Sequence, residues 1–330
     1  MAGMFIGMLF PLFIVIFMII IIFSTSKGRT KMKIKEEVSQ KFERETLDIL
    51  DTTPEIDEKR REYKTRRLFY RLLSLALFAA SIYCFMIHLF FIPFLLIIVF
   101  MVLTIIFSKK ENSDLFDIVV AKVIKKYNSD LNYIHTQGID SSIYREAKFE
   151  SYDRYHSDDY IMGKINNCNF EMAEVHTERQ HTDKDGHTTY TTVFHGAFAK
   201  VELNNSFDGV LSIVNNRIKL FNRDQYITID NEAFEKIYDV FTDDKIKTLR
   251  LLTPDVTTKM IDMYNETGLY CEIKIVGKYL YIRLYTGALF NFNFSNREKE
   301  AKQIGYSLAV LDTTFKVMNN FIEEIERFDV

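Results

Sequence analysis

Forty consecutive residues, Leu68–Phe107, carry only one formal charge, that of Arg71. The hydrocarbon core of a bilayer is ~30 Å thick and takes about 20 helical residues to cross, so this stretch is long enough for two crossings and a very short loop. Its single proline, Pro93, falls past the midpoint, where a turn is needed. The stretch therefore predicts a transmembrane hairpin of two helices, Leu68–Met86 and Phe91–Phe107.

A shorter apolar block lies near the start of the chain. Phe5–Phe23 has no charged residue, and the basic residues that flank it come after it, beginning at Lys27. A cleavable signal peptide has the opposite order, with positive charge before the apolar run and small residues after it. The order in this chain predicts a retained transmembrane anchor.

The distribution of lysine and arginine predicts how these three crossings are oriented. Residues 27–67 are densely basic and two lysines, Lys109 and Lys110, follow the last crossing, whereas 87–92 contains neither lysine nor arginine. Loops rich in these residues stay on the cytoplasmic side, so 27–67 and the chain after 108 are expected in the cytoplasm. The prediction is a multi-pass protein of the cell membrane whose soluble domain faces the cytoplasm.

On this interpretation the chain has four segments. They are a transmembrane anchor (1–26), a charged cytoplasmic helical linker (27–67), the transmembrane hairpin (68–108) and a cytoplasmic α+β domain (109–330). The last segment has about 220 residues, which is ample for a buried core.

The apolar pattern of the last segment indicates antiparallel strands. Alternation predicts strands at 160–165, 169–178, 188–202, 209–214 and 226–230. Asp183–Gly186 has the turn residues expected at the tip of a hairpin with two long arms. Alternation over 269–275 and 280–284, on either side of Gly277, predicts a second antiparallel hairpin.

Helical spacing predicts an amphipathic helix over 113–136 and a last helix of about thirty residues, introduced by the capping pair Ser295 and Glu298. Apolar residues of the last helix, from Ile304 to Ile325, are spaced alternately by four and three. So narrow a seam fits docking on the domain or pairing with another helix. The predicted fold class is α+β: N-terminal transmembrane helices (one anchor plus a hairpin), then a cytoplasmic domain of antiparallel strands and helices with a long C-terminal helix.

Charge and cysteine content argue against two classes of protein. A net charge of −3 and a pI near 6.2 do not fit a nucleic-acid binder, which needs a basic face. Cys84, Cys168 and Cys271 are far apart with no paired spacing, so neither a disulfide framework nor a cysteine zinc site is indicated. The sequence has no nucleotide-binding fingerprint, and no cofactor is predicted.

Several short motifs between 148 and 310 occur in an order that is similar to a known bacterial family. The motifs are Tyr152-Asp153-Arg154-Tyr155, Asp158-Asp159-Tyr160-Ile161-Met162-Gly163-Lys164-Ile165, Glu174-Val175-His176-Thr177-Glu178, Phe194-His195-Gly196-Ala197-Phe198, Phe234-Glu235-Lys236 and Leu252-Thr253-Pro254. The chain resembles the family catalogued as domain of unknown function 3137, except that Ser157-Asp158-Asp159 stands where Gly-Glu-Asp is expected. The resemblance implies a membrane-attached cytoplasmic module of bacteria. It implies no reaction, because the family has no established activity.

Histidines are concentrated in one part of the chain. His176, His181, His187 and His195 fall within twenty residues. If Asp185–Gly186 forms a two-residue turn, residues whose numbers sum to 371 face each other, which pairs His176 with His195 and puts Glu178 two positions along on the same face. Two imidazoles and a carboxylate suit zinc or a similar ion, so these three residues are the candidate metal ligands. The alternative is a polar cross-strand pair on a solvated face, and a different loop length would shift the register.

Other polar clusters are explained by local structure. Asp153, Asp158 and Asp159 lie near His156 among tyrosines, but no nucleophile or glycine-rich phosphate loop accompanies them, so capping and turn formation account for these aspartates. Asp183-Lys184-Asp185-Gly186 resembles part of a calcium loop but lacks the closing glutamate.

Without a catalytic signature, the sequence favours a non-enzymatic cytoplasmic interaction module that binds a protein or lipid partner. Besides the lipid bilayer, we expect a protein partner, bound through the cytoplasmic domain or the C-terminal helix, and no nucleic acid. The alternative function is a metal-dependent hydrolase that uses the His-rich β-hairpin. A transporter or channel is disfavoured because the predicted crossings have no charged residue except Arg71, whereas ion paths usually need some.

Overall fold

The computed structural model describes residues 34–86, 117–216, 225–290 and 297–328. These residues fold as helices packed on one antiparallel sheet. The helices are α1 (Glu36–Thr52), α2 (Pro54–Met86), α3 (117–127), α4 (Ser141–Glu146), α5 (Glu232–Glu235), α6 (Lys245–Leu251), α7 (Pro254–Thr267) and α8 (Arg297–Phe328). The strands are β1 (Leu131–Ile134), β2 (Arg154–Ile165), β3 (Cys168–Thr182), β4 (Thr188–Asn215), β5 (Tyr226–Ile227), β6 (Tyr238–Thr242) and β7 (Cys271–Leu284).

The predicted fold class is correct in its α+β domain and wrong in its transmembrane helices. Across the described ranges, no helix is both long and apolar enough to cross a bilayer. The predicted crossing Leu68–Met86 is the second half of α2, which begins at Pro54 with acidic residues in its first turn. The apolar half is therefore the continuation of a charged helix. The other predicted crossings, Phe5–Phe23 and Phe91–Phe107, lie outside the described residues, and the predicted cellular location stays a prediction.

The sheet is built around β4, which has 28 residues. The strand order of the sheet is β1-β2-β3-β4-β6-β5, and β7 also pairs with β4. Since β3 and β7 both pair with Ala197–Glu202 of β4, they must lie on opposite edges of that strand. Strands β6 and β7 both pair with Leu211–Ile213 of β4, so they also lie on opposite edges of it. Strand β6 is therefore on the same edge of β4 as β3, farther along the strand.

The predicted hairpin over 269–284 is wrong. Residues Cys271–Leu284 form a single strand that pairs with β4 from Ile273 to Leu284. Gly277, which was expected to reverse the chain, has a φ of +57° and lies at an irregularity in the register with β4. Apolar alternation is the same for one long strand and for two arms of a hairpin, so the pattern could not distinguish them.

The predicted helix over 113–136 is also shorter than expected. It ends at 127, and Leu131–Ile134 forms the edge strand β1 instead. The side chain of Asn128 accepts a hydrogen bond from the N–H of Asp130 at 2.9 Å, which closes the turn between the two elements.

The two faces of the sheet are covered by different elements. On one face Val175 and Phe194 belong to a buried cluster that includes Tyr144 of α4. On the other face Phe170 packs on α8, with its ring centroid 5.1 Å from that of Phe315. Because consecutive residues of a strand point to opposite faces, β3 contributes to both cores.

Helix α8 docks on the domain, which is one of the two alternatives left open for its apolar seam. Residues along the seam, among them Leu308 and Ile322, are buried. Gly305 faces α1 so closely that an added Cβ would lie 2.6 Å from the backbone N of Glu43. Arg297 of α8 also donates to the carboxylate of Asp57 at the start of α2, at 2.5 Å.

Candidate functional site

The two candidate histidines face each other across β3 and β4, as predicted. His176 pairs with His195, and their ring centroids are 4.5 Å apart with 27° between the planes. On the other side of β3, His156 of β2 pairs with His176. Three neighbouring strands therefore bring three histidines into one cross-strand row.

This pairing arises from a different turn than the one predicted. Thr182 pairs with Thr188, so the tip of the hairpin has the five residues 183–187. The side chain of Asp183 holds the tip together by accepting from the N–H groups of Asp185 and His187, at 3.0 and 2.8 Å. A bulge between Thr177 and Glu178 then shifts the register by one residue. The longer tip and the bulge compensate, which restores the pairing of His176 with His195.

The third predicted ligand, Glu178, does not join the two histidines. It lies beyond the bulge, where it pairs with Thr192, and its Oε2 atom is 4.0 Å from Nη1 of Arg154. The carboxylate that reaches the histidines is Glu174, whose Oε1 atom lies 2.8 Å from Nε2 of His195. The proposed metal set of His176, His195 and Glu178 stays a prediction, because nothing in the structure tests whether an ion binds.

A second imidazole–carboxylate pair lies at a bulge in β2. Asp159 has a φ of +57°, in the left-handed region, and is buried. Its Oδ1 atom accepts from the hydroxyl of Tyr133 at 2.5 Å and lies 2.7 Å from Nδ1 of His135. Burial raises the pKa of Asp159, against the opposing hydrogen bond from His135. Although burial lowers the pKa of His135, the hydrogen bond and charge of Asp159 outweigh that effect and raise it.

These side chains form one histidine–carboxylate cluster. Its members are His135, His156, Asp158, Asp159, Glu174, His176 and His195. Oxygen atoms of Asp158, Asp159 and Glu174 all lie within 4.8 Å of one another, and Asp158 also lies 3.2 Å from Nε2 of His156. Three converging carboxylates repel unless protons or a cation lie between them, and oxygen ligands of this kind suit Mg²⁺ or Ca²⁺.

Part of this cluster could have been found from the sequence. Glu174 precedes His176 by two residues in an alternating strand, so the two side chains had to share a face. Asp159, which the sequence attributes to capping and turn formation, joins the cluster instead, because the bulge that buries it is absent from the apolar pattern. Of the other histidines in this region, His181 lies away from the cluster, with its Nε2 atom 2.9 Å from the hydroxyl of Thr191.

Beyond the cluster, β3 and β4 continue as a projecting ribbon, defined as residues 178–192. Most side chains of the ribbon are exposed. The guanidinium of Arg154 stacks 3.2 Å above the ring of Tyr190, whose hydroxyl donates to Gln180 at 3.2 Å. Hydrogen bonding within the ribbon and stacking on Arg154 of β2 thus order the ribbon without burial in the core.

The two outer edges of the ribbon differ. On β3, Asp153 covers the edge: its N–H donates to the carbonyl of Glu178 and its side chain accepts from the N–H of Gln180. On β4, pairing with β7 ends at Ala197, and the N–H of Gly287 donates to the carbonyl of His195. Within the described ranges, no strand pairs with the outer edge of 188–192.

Comparison with known proteins gives one family and one structure. The sequence matches no curated protein. A crystal structure of the mycobacterial trehalose monomycolate transport factor A, TtfA, is similar over 60% of this chain and 93% of that chain, at 9% identity and a TM-score of 0.32.

The family match covers residues 192–328, which run from the base of the ribbon to the end of α8. Three of the sequence motifs lie inside this range: Phe194–Phe198, Phe234–Lys236 and Leu252–Pro254. The motifs between 152 and 178 lie outside it. The predicted resemblance is confirmed, since residues 192–328 match the model of the family described as protein of unknown function, DUF3137.

Proposed function

We propose that the domain is a non-enzymatic interaction module that binds a protein partner through the projecting ribbon. The observation that carries the proposal is that β3 and β4 stay paired over five residue pairs, from Glu178–Thr192 to Thr182–Thr188, where most of their side chains are exposed. Ordering a residue opposes folding by about 1–2 kcal/mol, and an isolated two-stranded hairpin is marginally stable at best. A ribbon that adds little to the core is well suited to display a surface.

The contacts of the ribbon support a preformed binding surface. Asp183 fixes the tip, and Arg154 stacks on Tyr190 at the base. A surface that is ordered before binding loses less conformational entropy when a partner arrives. The open edge of 188–192 offers main-chain donors and acceptors, which are the groups that an added strand uses.

A matched pair of variants tests the proposal. Crosslinking and pull-down from cells that express the chain would compare the wild-type chain with Thr189→Lys, because a lysine on an edge strand opposes strand addition. The control is Thr258→Lys, the same change at an exposed position of α7. We expect recurring partners that are lost with Thr189→Lys and kept with Thr258→Lys. Partners that are equally recovered with both variants would show that the ribbon is not the binding surface.

A metal-dependent hydrolase is the second candidate, and the stacking of His176 on His195 favours it. Elemental analysis of the purified full-length chain, after dialysis against zinc-free buffer, tests it. Zinc at one per chain that is lost in His176→Ala and kept in His181→Ala would support the hydrolase. Zinc below a tenth per chain in the wild type would leave the interaction module as the better function.

A further inference from the structure

We infer that the protein partner of the ribbon is a second copy of this chain, joined to the first by antiparallel pairing of residues 188–192 around a two-fold axis at Tyr190. The inference rests on the proposed function and names the partner of the same surface. It is carried by the sequence of that edge, by its lack of charge and by the contrast with the opposite edge of the ribbon.

The open edge has a palindromic sequence, Thr188-Thr189-Tyr190-Thr191-Thr192. A two-fold interface joins the same patch of both subunits, so the patch must be complementary to itself. In an antiparallel pair centred on Tyr190, this tyrosine faces its own copy, Thr188 faces Thr192, and Thr189 faces Thr191. Cross-strand threonine pairs and aromatic pairs are both favourable, so every facing pair in this register is a good one.

The charge distribution also fits pairing between identical edges. Edge strands are usually protected from unwanted pairing by lysine, by other charges or by proline. No Asp, Glu, Lys, Arg or Pro occurs between 188 and 196. Two copies can therefore approach along this edge without bringing like charges together.

The opposite edge of the ribbon is closed. Asp153 occupies it through hydrogen bonds to the backbone of Glu178 and Gln180, and Arg179 donates to the carbonyl of Ser151. One ribbon thus has a closed edge with charged residues and an open edge without them. Within the described ranges the ribbon has one open edge, which permits a closed pair of chains and does not extend into a fibre.

The length of the edge sets the strength of the contact. Toward the base of the ribbon, pairing with β7 begins at Ala197, so a second copy can pair only between the tip and His195. Stable complexes usually bury about 1,200–2,000 Å², and a few strand pairs bury less. We therefore expect a dimer that forms and dissociates as the protein concentration changes.

Cysteine crosslinking of the full chain tests the register. Cys168 and Cys271 are buried, and Cys84→Ser removes the third native thiol. In the inferred dimer the two Cα atoms at position 190 lie about 4.5–5.5 Å apart, within reach of a disulfide. Tyr190→Cys should then crosslink to itself under mild oxidation. Thr188→Cys alone should not, because its two copies are separated by four residues, ~14 Å along the strands.

A mixed sample completes the register test. Thr188→Cys mixed with Thr192→Cys should crosslink, since these positions face each other in the inferred pairing. If Thr188→Cys crosslinks to itself as fast as Tyr190→Cys does, the register is wrong and the inference fails.

Sedimentation equilibrium provides a measurement without cysteines. The wild-type chain should show concentration-dependent dimerisation that Tyr190→Phe preserves. Tyr190→Lys should raise the dimer dissociation constant at least tenfold, because two lysines would then lie directly opposite each other. A chain that stays monomeric, without crosslinking, overturns the inference. If Thr189→Lys still removes partners in the pull-down, the ribbon nevertheless binds another protein; if it does not, the proposed function fails as well.

Discussion

Nε2 of His195 lies 2.8 Å from Oε1 of Glu174, and Oε2 of the same carboxylate accepts the N–H of Leu289 at 2.7 Å. Glu174 is buried. Through these two contacts its side chain connects β3 and β4 to the segment that follows β7. The carboxylate belongs to the histidine–carboxylate cluster, and it also satisfies a buried backbone donor.

Glu174→Ala should destabilise the domain because it leaves the buried N–H of Leu289 without its acceptor. The expected loss is about 1–3 kcal/mol in the free energy of unfolding, measured by urea denaturation. Glu178→Ala is the matched control in the same strand, since Glu178 is only half-buried and its carboxylate lies 4.0 Å from Arg154. The control should lose less than about 1 kcal/mol. Equal losses would show that the contact with Leu289 has no special role.

Gly196→Ala should destabilise the domain through a backbone clash. An added Cβ would lie 2.0 Å from the carbonyl oxygen of Leu284 and 2.7 Å from the N of Thr286. No rotamer change relieves a clash with backbone, so we expect a loss of about 3 kcal/mol or more. Gly186→Ala, at the tip, meets no atom of the described residues within 4 Å and should lose only about 1 kcal/mol from its φ of +82°. Thermal unfolding of both variants against the wild type measures the difference.

The pairing of His176 with His195 shows how much of the site can be read from a sequence. Counting residues around the expected turn predicted the pair correctly. The predicted pair is correct only because two deviations cancel: the tip has five residues, and a bulge at Thr177–Glu178 shifts the register back by one residue. Bulges depend on how neighbouring strands twist and pack, so the apolar pattern does not locate them. For the same reason the sequence did not predict the position of Asp159, which lies at the bulge in β2.

The errors in the predicted fold have a common physical cause. Alternation of apolar and polar residues shows which face of the sheet a residue occupies, and it does not show where a strand ends. The single strand β7 was therefore predicted as two strands on either side of Gly277. Composition shows that a stretch is apolar, and it does not show whether that stretch crosses a bilayer. The apolar half of α2 was therefore predicted to be a transmembrane crossing. Arg283 alternates with apolar neighbours and would be expected on a solvated face, yet it is buried.

Arg283→Met should be strongly destabilising. The guanidinium of Arg283 forms ion pairs with Glu150 and Glu272, and it donates to the hydroxyl of Tyr285 at 3.0 Å. Removing it leaves two carboxylates in the interior without their cation. The expected loss is about 3–5 kcal/mol in the free energy of unfolding, measured by guanidinium denaturation.

The control for Arg283→Met is Lys278→Met in the same strand, where the ion pair with Glu202 is exposed. Its expected loss is below about 1 kcal/mol. If both variants lose similar amounts, burial of the Arg283 ion pairs does not determine their contribution.

Glu300 provides a prediction about pH. It is buried at the start of α8 in an ion pair with Arg60. Burial raises the pKa of Glu300 to about 7, although the charges of Arg60 and Arg297 oppose the shift. In the unfolded chain the pKa returns to its ordinary value of 4.5. Between these two values the folded state holds a proton that the unfolded state has released, so the stability contribution is full below pH 4.5 and falls as the pH rises toward 7.

Glu300→Gln removes this titration. The free energy of unfolding of the wild type minus that of the variant should decline by up to about 3 kcal/mol between pH 4.5 and 7, and should be constant outside that window. Denaturation of both proteins at half-unit pH intervals measures this difference in the free energy of unfolding. Contributions from titrating groups that both proteins share cancel in the difference. Glu298→Gln, an exposed neighbour in the same turn, is the control and should follow the wild type at every pH. A difference for Glu300→Gln that stays level, or rises with pH, would show that the carboxyl of Glu300 is ionised throughout.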